Sequence, residues 1–232
     1  MAEYIHLFQT EAEFTSAYTN DYHEPWVSYT NETSSITFNK KVEPIPEGAV
    51  DLGLPSRTLW AACNVGASSP EQEGNYYAWG EVSVKNKYDW ETYKFYQYDD
   101  GIITKYNDTD GKTELDAEDD VAHAVMGGSW HIPTSAQCQE LIDNTTSTWD
   151  SERSGRTFTS NINGNSIFIP AAGSYFGTSR SGAGDIGFLW STSLSPDNHD
   201  SGAYLLYFYS NGVGMDDNEG RCSGCSVRGV IG

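Results

Sequence analysis

GFLWSTSLSPDNHDSGAYLLYFYSNGVGMDDNEGRCSGCSVRGVIG, residues 187–232, decides how this chain is read. Its apolar anchors are Trp190, Leu206, Phe208, Val213 and Val227, and most of what separates them is Asp, Asn, Ser, Gly, Tyr, His or Cys. Residues 203–210 alternate with a period of two, which predicts a strand with Tyr204, Leu206 and Phe208 on one face and Leu205, Tyr207 and Tyr209 on the other. Val213 and Val227 are expected in further short strands of the same sheet. With Leu206 and Phe208 turned into a core, Leu205, Tyr207 and Tyr209 are expected to face outward beside Asp197, Asn198, His199 and Asp200 and beside Asp216, Asp217 and Asn218. The competing reading buries both faces between sheet and helix. On the outward reading a stiff frame displays Tyr, Ser, Gly and Asn, the residues paratopes favour because Tyr supplies contact area at low entropic cost. A shallow, polar and aromatic patch of that kind suits a protein or glycan surface better than a deep small-molecule pocket.

Working outward, residues 155–170 carry an Asn163-Gly164 turn between the apolar runs at Phe158 and at Ile167-Phe168-Ile169, a strong hairpin signal. Thr134-Ser135-Ala136-Gln137 has the pattern of a capping box, and Cys138, Leu141 and Ile142 follow at the spacing of one buried helical face. Thr58-Leu59-Trp60 is expected to be the first strand of the main domain. Residues 1–47 differ in character and are expected to form an attachment or oligomerisation arm. Within it residues 11–18 suit a short helix, and residues 26–30 and 36–40 alternate as the two strands of a hairpin around residues 31–35. A lone hairpin is marginal in water, so this one is expected to pack on another surface. Two prolines, Pro44 and Pro46, stiffen the linker at 42–48, which leads into a domain spanning 48–232.

The 232 residues carry a formal net charge of −20, with 23 Gly, 15 Tyr, 7 Trp and 9 Phe. That aromatic content fills one good core. The charge repels phosphate backbones and anionic lipid surfaces, so no nucleic acid partner and no membrane insertion are expected. No apolar run approaches the ~20 residues a bilayer span needs. The first residues, MAEYIHLFQTEAEF, lack the basic and apolar regions of a secretory leader.

The four cysteines are Cys63, Cys138, Cys222 and Cys225. Cys63 and Cys138 read as small core residues. Cys222-Ser-Gly-Cys225 has the spacing of half a zinc site or of a redox pair, yet no second pair and no βαβ context accompany it, so no metal site is assigned to it. The stretch 99–120 is the most acidic part of the chain and admits two readings. One is a non-EF site holding Ca2+ as a structural ion. The other, which the spacing favours, is a solvated acidic loop followed by a helix start, because Lys112, Thr113 and Asp119 stand where an EF-hand requires a ligand, a glycine and a bidentate Glu.

Several ordered motifs resemble one family. They are Val50-Asp51-Leu52-Gly53-Leu54-Pro55-Ser56, Leu59-Trp60-Ala61, Cys63-Asn64-Val65-Gly66-Ala67, Tyr77-Ala78-Trp79-Gly80-Glu81, Glu118-Asp119-Asp120-Val121-Ala122, Gly127-Gly128-Ser129-Trp130-His131-Ile132-Pro133-Thr134, Leu189-Trp190-Ser191-Thr192-Ser193 and Ser226-Val227-Arg228. Over residues 50–232 the chain is similar to the major paralogous domain common in gut Bacteroidota and their phages. The resemblance implies an α+β domain with a C-type lectin-like fold, in the branch shared with formylglycine-generating enzymes: a twisted, mainly antiparallel sheet, two helices and long loops. A subset of such domains resembles the variable proteins of diversity-generating retroelements, in which randomised template adenines reach Asn, Asp, Ser, Gly, Tyr, His, Cys, Leu and similar residues but not Glu, Lys, Gln, Met or Trp. On that resemblance the changeable, ligand-binding patch comprises Ser193, Asp197, Asn198, His199, Asp200, Leu205, Tyr207, Tyr209, Asp216, Asp217, Asn218, Cys222 and Ser223, while Met215 and Glu219 are fixed. The usual family ending has Phe where Cys225 stands and Pro where Gly229 stands.

The expected function is therefore non-enzymatic binding of a host cell-surface protein or glycan by a virion tail protein, assembled as a homo-oligomer, with a trimer expected. A bacterial cell-surface adhesin or pilus-tip domain is the nearest alternative, and the missing leader favours the phage form. A copper-dependent oxidase of the formylglycine-generating type would need Cys222 and Cys225 as its metal ligands. A calcium-bridged sugar site is disfavoured, since Ser195-Pro196-Asp197 has no Trp-Asn-Asp partner. No catalytic residue is assigned, because His123, His131 and His199 lack a partner of known spacing.

Overall fold

The computed structural model describes residues 44–196 and 201–232 in full and the backbone of residues 7–8, 26–30 and 35–39. The chain divides into two compact units, residues 1–45 and 46–232. In the first, β1 (Leu7–Phe8) runs parallel to β2 (Trp26–Thr30), which pairs antiparallel with β3 (Ser35–Asn39). The helix expected at 11–18 falls outside the described residues.

The second unit is mixed α+β, with mostly antiparallel sheets and few helices. β4 (Ala49–Asp51) and β5 (Leu59–Ala61) form a small sheet closed by the chain's last strand, β16 (Val230–Ile231). β6 (Tyr96–Gln97) and β7 (Ile102–Ile103) make one hairpin, and β11 (Ser174–Phe176) and β12 (Ser179–Ser181) another. β8 (Thr145–Asp150), β9 (Gly155–Ser160) and β10 (Ser166–Pro170) form a meander. The Asn163-Gly164 signal lies in the β9–β10 turn, where Gly164 takes φ +79°. The helices are α1 (Val121–Met126) and α2 (Ser135–Asn144). The capping box forms as the sequence predicts: the Gln137 N–H donates to Thr134 Oγ1 at 3.1 Å, and the Thr134 N–H donates to Gln137 Oε1 at 2.9 Å. Cys138 and Leu141 are buried on its inner face, whereas Cys63, expected in the core, is only half-buried.

At the centre lies the meander β13 (Ile186–Leu194), β14 (Gly202–Tyr209) and β15 (Gly212–Gly220). Apolar residues alternate onto both of its faces, and both faces are covered. On one side Trp60, Cys138, Leu141, Phe158 and Ile169 pack with Leu189, Leu206 and Phe208. On the other Tyr77, Trp79, Tyr93, Tyr106 and Val227 pack with Trp190 and Leu205. The polar ends of these aromatics find partners, as buried indole and phenol groups require: Trp79 Nε1 donates to the Ser191 carbonyl and Trp190 Nε1 to the Tyr77 carbonyl, each at 2.8 Å. Val213 belongs to this sheet. Val227 is buried but lies outside the strands, its carbonyl accepting from the Val65 N–H at 2.8 Å.

Candidate binding face on the central sheet

The two-residue connection Ser210-Asn211 sets Tyr209 opposite Gly212, Phe208 opposite Val213, Tyr207 opposite Gly214 and Leu206 opposite Met215. Opposed residues of an antiparallel pair project from the same face. Leu206, Phe208, Val213 and Met215 therefore share the side that α2 covers. Leu205, Tyr207 and Tyr209 share the other with Asp216, and β13 adds Phe188 opposite Tyr207 and Ile186 opposite Tyr209. Towards the turn this second face opens. Tyr207 is half-buried and Tyr209 is 41% exposed.

The glycines of β15 shape this opening. A Cβ at Gly214 would stand 3.1 Å from the Tyr207 hydroxyl, and one at Gly212 would stand 3.2 Å from the Tyr209 hydroxyl. Both rings thus lean across β15 over positions that carry no side chain. They are nearly parallel, 11° apart, with centroids separated by 6.3 Å. The turn beneath them is pinned by Arg156, which donates through one nitrogen to the carbonyls of Tyr209 at 2.8 Å and Gly212 at 3.2 Å, and through the other to the Ser147 carbonyl at 2.8 Å. This preorganises the face, since little freedom is left to lose on binding. Sequence reading missed Gly212, Gly214 and Arg156. The glycines were visible as the mirror of Tyr207-Phe208-Tyr209 across Ser210-Asn211. Arg156, more than fifty residues away in the chain, had no local signal.

Beyond Leu205 the register slips. Ala203 pairs with Glu219 while Leu205 pairs with Asp216, so Asp217 and Asn218 together face Tyr204. Such a bulge re-aims side chains. Asp216 Oδ1 accepts from the Asn218 N–H at 3.0 Å, and Asp217 Oδ1 accepts from the Asn218 amide at 3.1 Å. Asp216 and Asp217 are half-buried and Asn218 is exposed.

Of the expected patch, then, Tyr207, Tyr209, Asp216, Asp217 and Asn218 fall on two adjacent strands. Asp197, Asn198, His199 and Asp200 lie outside the described residues. Four positions require correction. Leu205 is fully buried, because residues 77–106 lay a second core over the sheet face on which it stands. Ser193 is 6% exposed and ties α2 to the acidic loop: its hydroxyl accepts from the Ser135 N–H at 3.0 Å and donates to Glu114 at 2.8 Å. Cys222 and Ser223 are 1% and 4% exposed, in the turn that follows β15. Burial pushes the Cys222 thiol up to about 12 and the Cys225 thiol well above its ordinary value. Both stay protonated at neutral pH, and the thiolate is the form that ligates metals or attacks disulfides.

The acidic stretch is organised from within. Asp110 accepts backbone N–H bonds from Tyr106 at 2.5 Å and Lys112 at 2.9 Å, so the calcium-loop-like run 108–111 is a turn held by its own carboxylate. Asp116, Glu118 and Asp119 bring carboxylate oxygens within 4.8 Å of one another, a cluster that could hold a metal ion. Lysines already stand there: Lys105 lies 2.6 Å from Asp116 and 2.5 Å from Asp119, and Lys94 lies 2.6 Å from Asp119. Lys105 and then Lys112 draw the Asp116 carboxyl down to about 2. For Asp119, burial pushes upward but is outweighed by Lys105, Lys94 and the Tyr106 hydroxyl, and the net direction is down. A carboxyl depressed by folding contributes stability above its ordinary pKa, and that contribution disappears as pH falls through the depressed value. The melting temperature of the wild-type chain is therefore expected to fall steeply between about pH 4 and about pH 2. Asp119→Asn should flatten this part of the curve while lowering stability at pH 7. A variant that tracked the wild type throughout would show that the lysine–carboxylate cluster contributes nothing.

Comparison with protein-family models, with curated proteins and with solved structures finds no match to this chain.

Proposed function

We propose that this chain is a non-enzymatic receptor-binding protein with a C-type lectin-like domain, carried on a phage tail and engaging a protein or glycan of the host cell surface through the β14–β15 face. Residues 1–45 serve attachment and homo-oligomerisation, and several copies convert weak single contacts into avidity. The observation that carries this reading is the parallel Tyr207–Tyr209 pair. It leans over a glycine-bearing strand, on a sheet whose other face is packed into a core, with Asp216 on the same face and Asp217 and Asn218 in the bulge that follows. Diversification by a retroelement fits the same geometry, for Met215, which that mechanism cannot reach, is paired with the buried Leu206. The changeable set reduces, among the described residues, to Tyr207, Tyr209, Asp216, Asp217 and Asn218. Calcium as a structural ion at the Asp116–Glu118–Asp119 cluster would have to displace Lys105 and Lys94.

Fluorescently labelled full-length chain, incubated with a panel of intact gut Bacteroidota strains, is expected to bind a subset saturably. Tyr207→Ser/Tyr209→Ser should lower that binding by about tenfold or more, on the scale of losing two aromatic anchors, in a chain that still unfolds cooperatively well above the assay temperature. Binding indifferent to this substitution would remove the face from the function. Related genes offer a second check, since their differences should cluster at positions 207, 209 and 216–218 and spare Leu205.

A further inference from the structure

Positive charge in the 46–232 unit is almost entirely committed. Lys85, Lys87, Lys94, Lys105, Lys112, Arg153 and Arg180 all stand in ion pairs. Arg156 and Arg228 are buried on backbone carbonyls. One arrangement recurs among the paired cations, in which an aromatic ring and a carboxylate hold the charge between them. Lys94 stands over Phe95 at 4.7 Å and binds Asp119. Lys105 stands over Tyr106 at 4.9 Å and binds Asp116 and Asp119. Arg153 stands over Phe168 at 4.1 Å and binds Asp150, and Arg180 stands over Tyr76 at 5.7 Å and binds Glu73. Ring quadrupole and carboxylate both attract the same charge, which is why the pairing repeats.

The β14–β15 face brings the same two components together. Asp216 lies on the face of Tyr207 as its diagonal neighbour across the strand pair, a separation of ~7–8 Å that a long side chain bridges. Asp217 and Asn218 follow in the bulge. Among the described residues, no Lys, Arg or His pairs with Asp216 or Asp217, and none stands over the Tyr207 or Tyr209 ring. Arg156, which reaches the turn, is 8% exposed, and the donors it places there go to backbone carbonyls. Around this face the chain as a whole carries a net charge of −20.

We infer that the β14–β15 face binds a cationic protein segment, seating an arginine or lysine side chain against the Tyr207 and Tyr209 rings with its charge on Asp216. The inference rests on the reading of this face as the receptor-binding surface and narrows the partner to a basic polypeptide. Arginine fits best, because its planar guanidinium stacks on aromatic rings and binds carboxylates through two parallel donors.

The test exposes the immobilised full-length chain to a displayed library of random peptides of roughly a dozen residues, and in parallel to a glycan array. Peptides carrying paired Arg or Lys should be enriched. Tyr207→Ser/Tyr209→Ser and Asp216→Asn should each weaken their binding by about tenfold. The tyrosine variant leaves the net charge unchanged, so its loss separates the face from general attraction to an acidic protein. Basic peptides retained equally by the tyrosine variant would overturn the inference. Enrichment of neutral or acidic peptides, or binding of glycans alone, lost in the tyrosine variant, would also overturn it and leave the receptor-binding reading standing. No peptide or glycan binding that depends on Tyr207 and Tyr209 would overturn both.

Discussion

Leu205→Asn is expected to cost several kcal/mol of stability and to leave the 46–232 unit largely unfolded, whereas Tyr209→Asn, two residues on and on the same strand face, should stay within about 1 kcal/mol of the wild type. Leu205 is fully buried between Trp190 and the Tyr77, Trp79 and Tyr93 side of the core. Truncating a core leucine costs about 2–5 kcal/mol, and a buried amide without partners adds about 1–3. The sum approaches the whole stability of a typical domain. Urea denaturation followed by tryptophan fluorescence reads the difference, since Trp60, Trp79 and Trp190 are all buried. Leu205→Asn stability close to that of Tyr209→Asn would return Leu205 to the displayed patch. Leu205→Ala, a milder change, guards against a variant too unstable to purify.

Arg228→Met is expected to destabilise the same unit by about 2–4 kcal/mol, more than Arg57→Met on the exposed surface, which should change almost nothing. Arg228 is 0% exposed. It donates to Asn64 Oδ1 at 2.9 Å, to the Ala61 carbonyl at 2.9 Å and to the Phe168 carbonyl at 3.0 Å, which joins β5, the loop after it and β10 through one side chain. Methionine keeps much of the volume and strips all three acceptors of their donor, at about 1–3 kcal/mol each. Opposing this, burial already pushes the guanidinium down to about 10, and its removal relieves that desolvation. The acceptors outnumber the single relieved charge, so the loss prevails. Arg228→Met with a wild-type denaturation midpoint would mean that water or backbone shifts satisfy the three carbonyl-type oxygens without help.

How much of this was legible beforehand depended on the range of the interaction. The Thr134 capping box, the Asn163-Gly164 turn and the helical face of Cys138 and Leu141 were readable because each is settled by residues within about one turn of backbone. The period-two alternation of residues 203–209 was readable for the same reason, and so was the grouping of Leu205 with Tyr207 and Tyr209. The burial of Cys222 was not, for nothing within a few residues of it names Tyr93 or Trp79 as neighbours in its core. Nor was the role of Ser193, which depends on Glu114 and Ser135 arriving from two other segments.

By itself, then, the sequence determined that β14 is a strand and which of its side chains share a face. Only the tertiary structure decided which part of that face meets solvent. Alternation is a property of the backbone pleat and is set locally. The layer that covers Leu205 and stops short of Tyr209 comes from residues 77–106, more than ninety positions earlier, and long-range packing of that kind leaves no mark in the strand it covers.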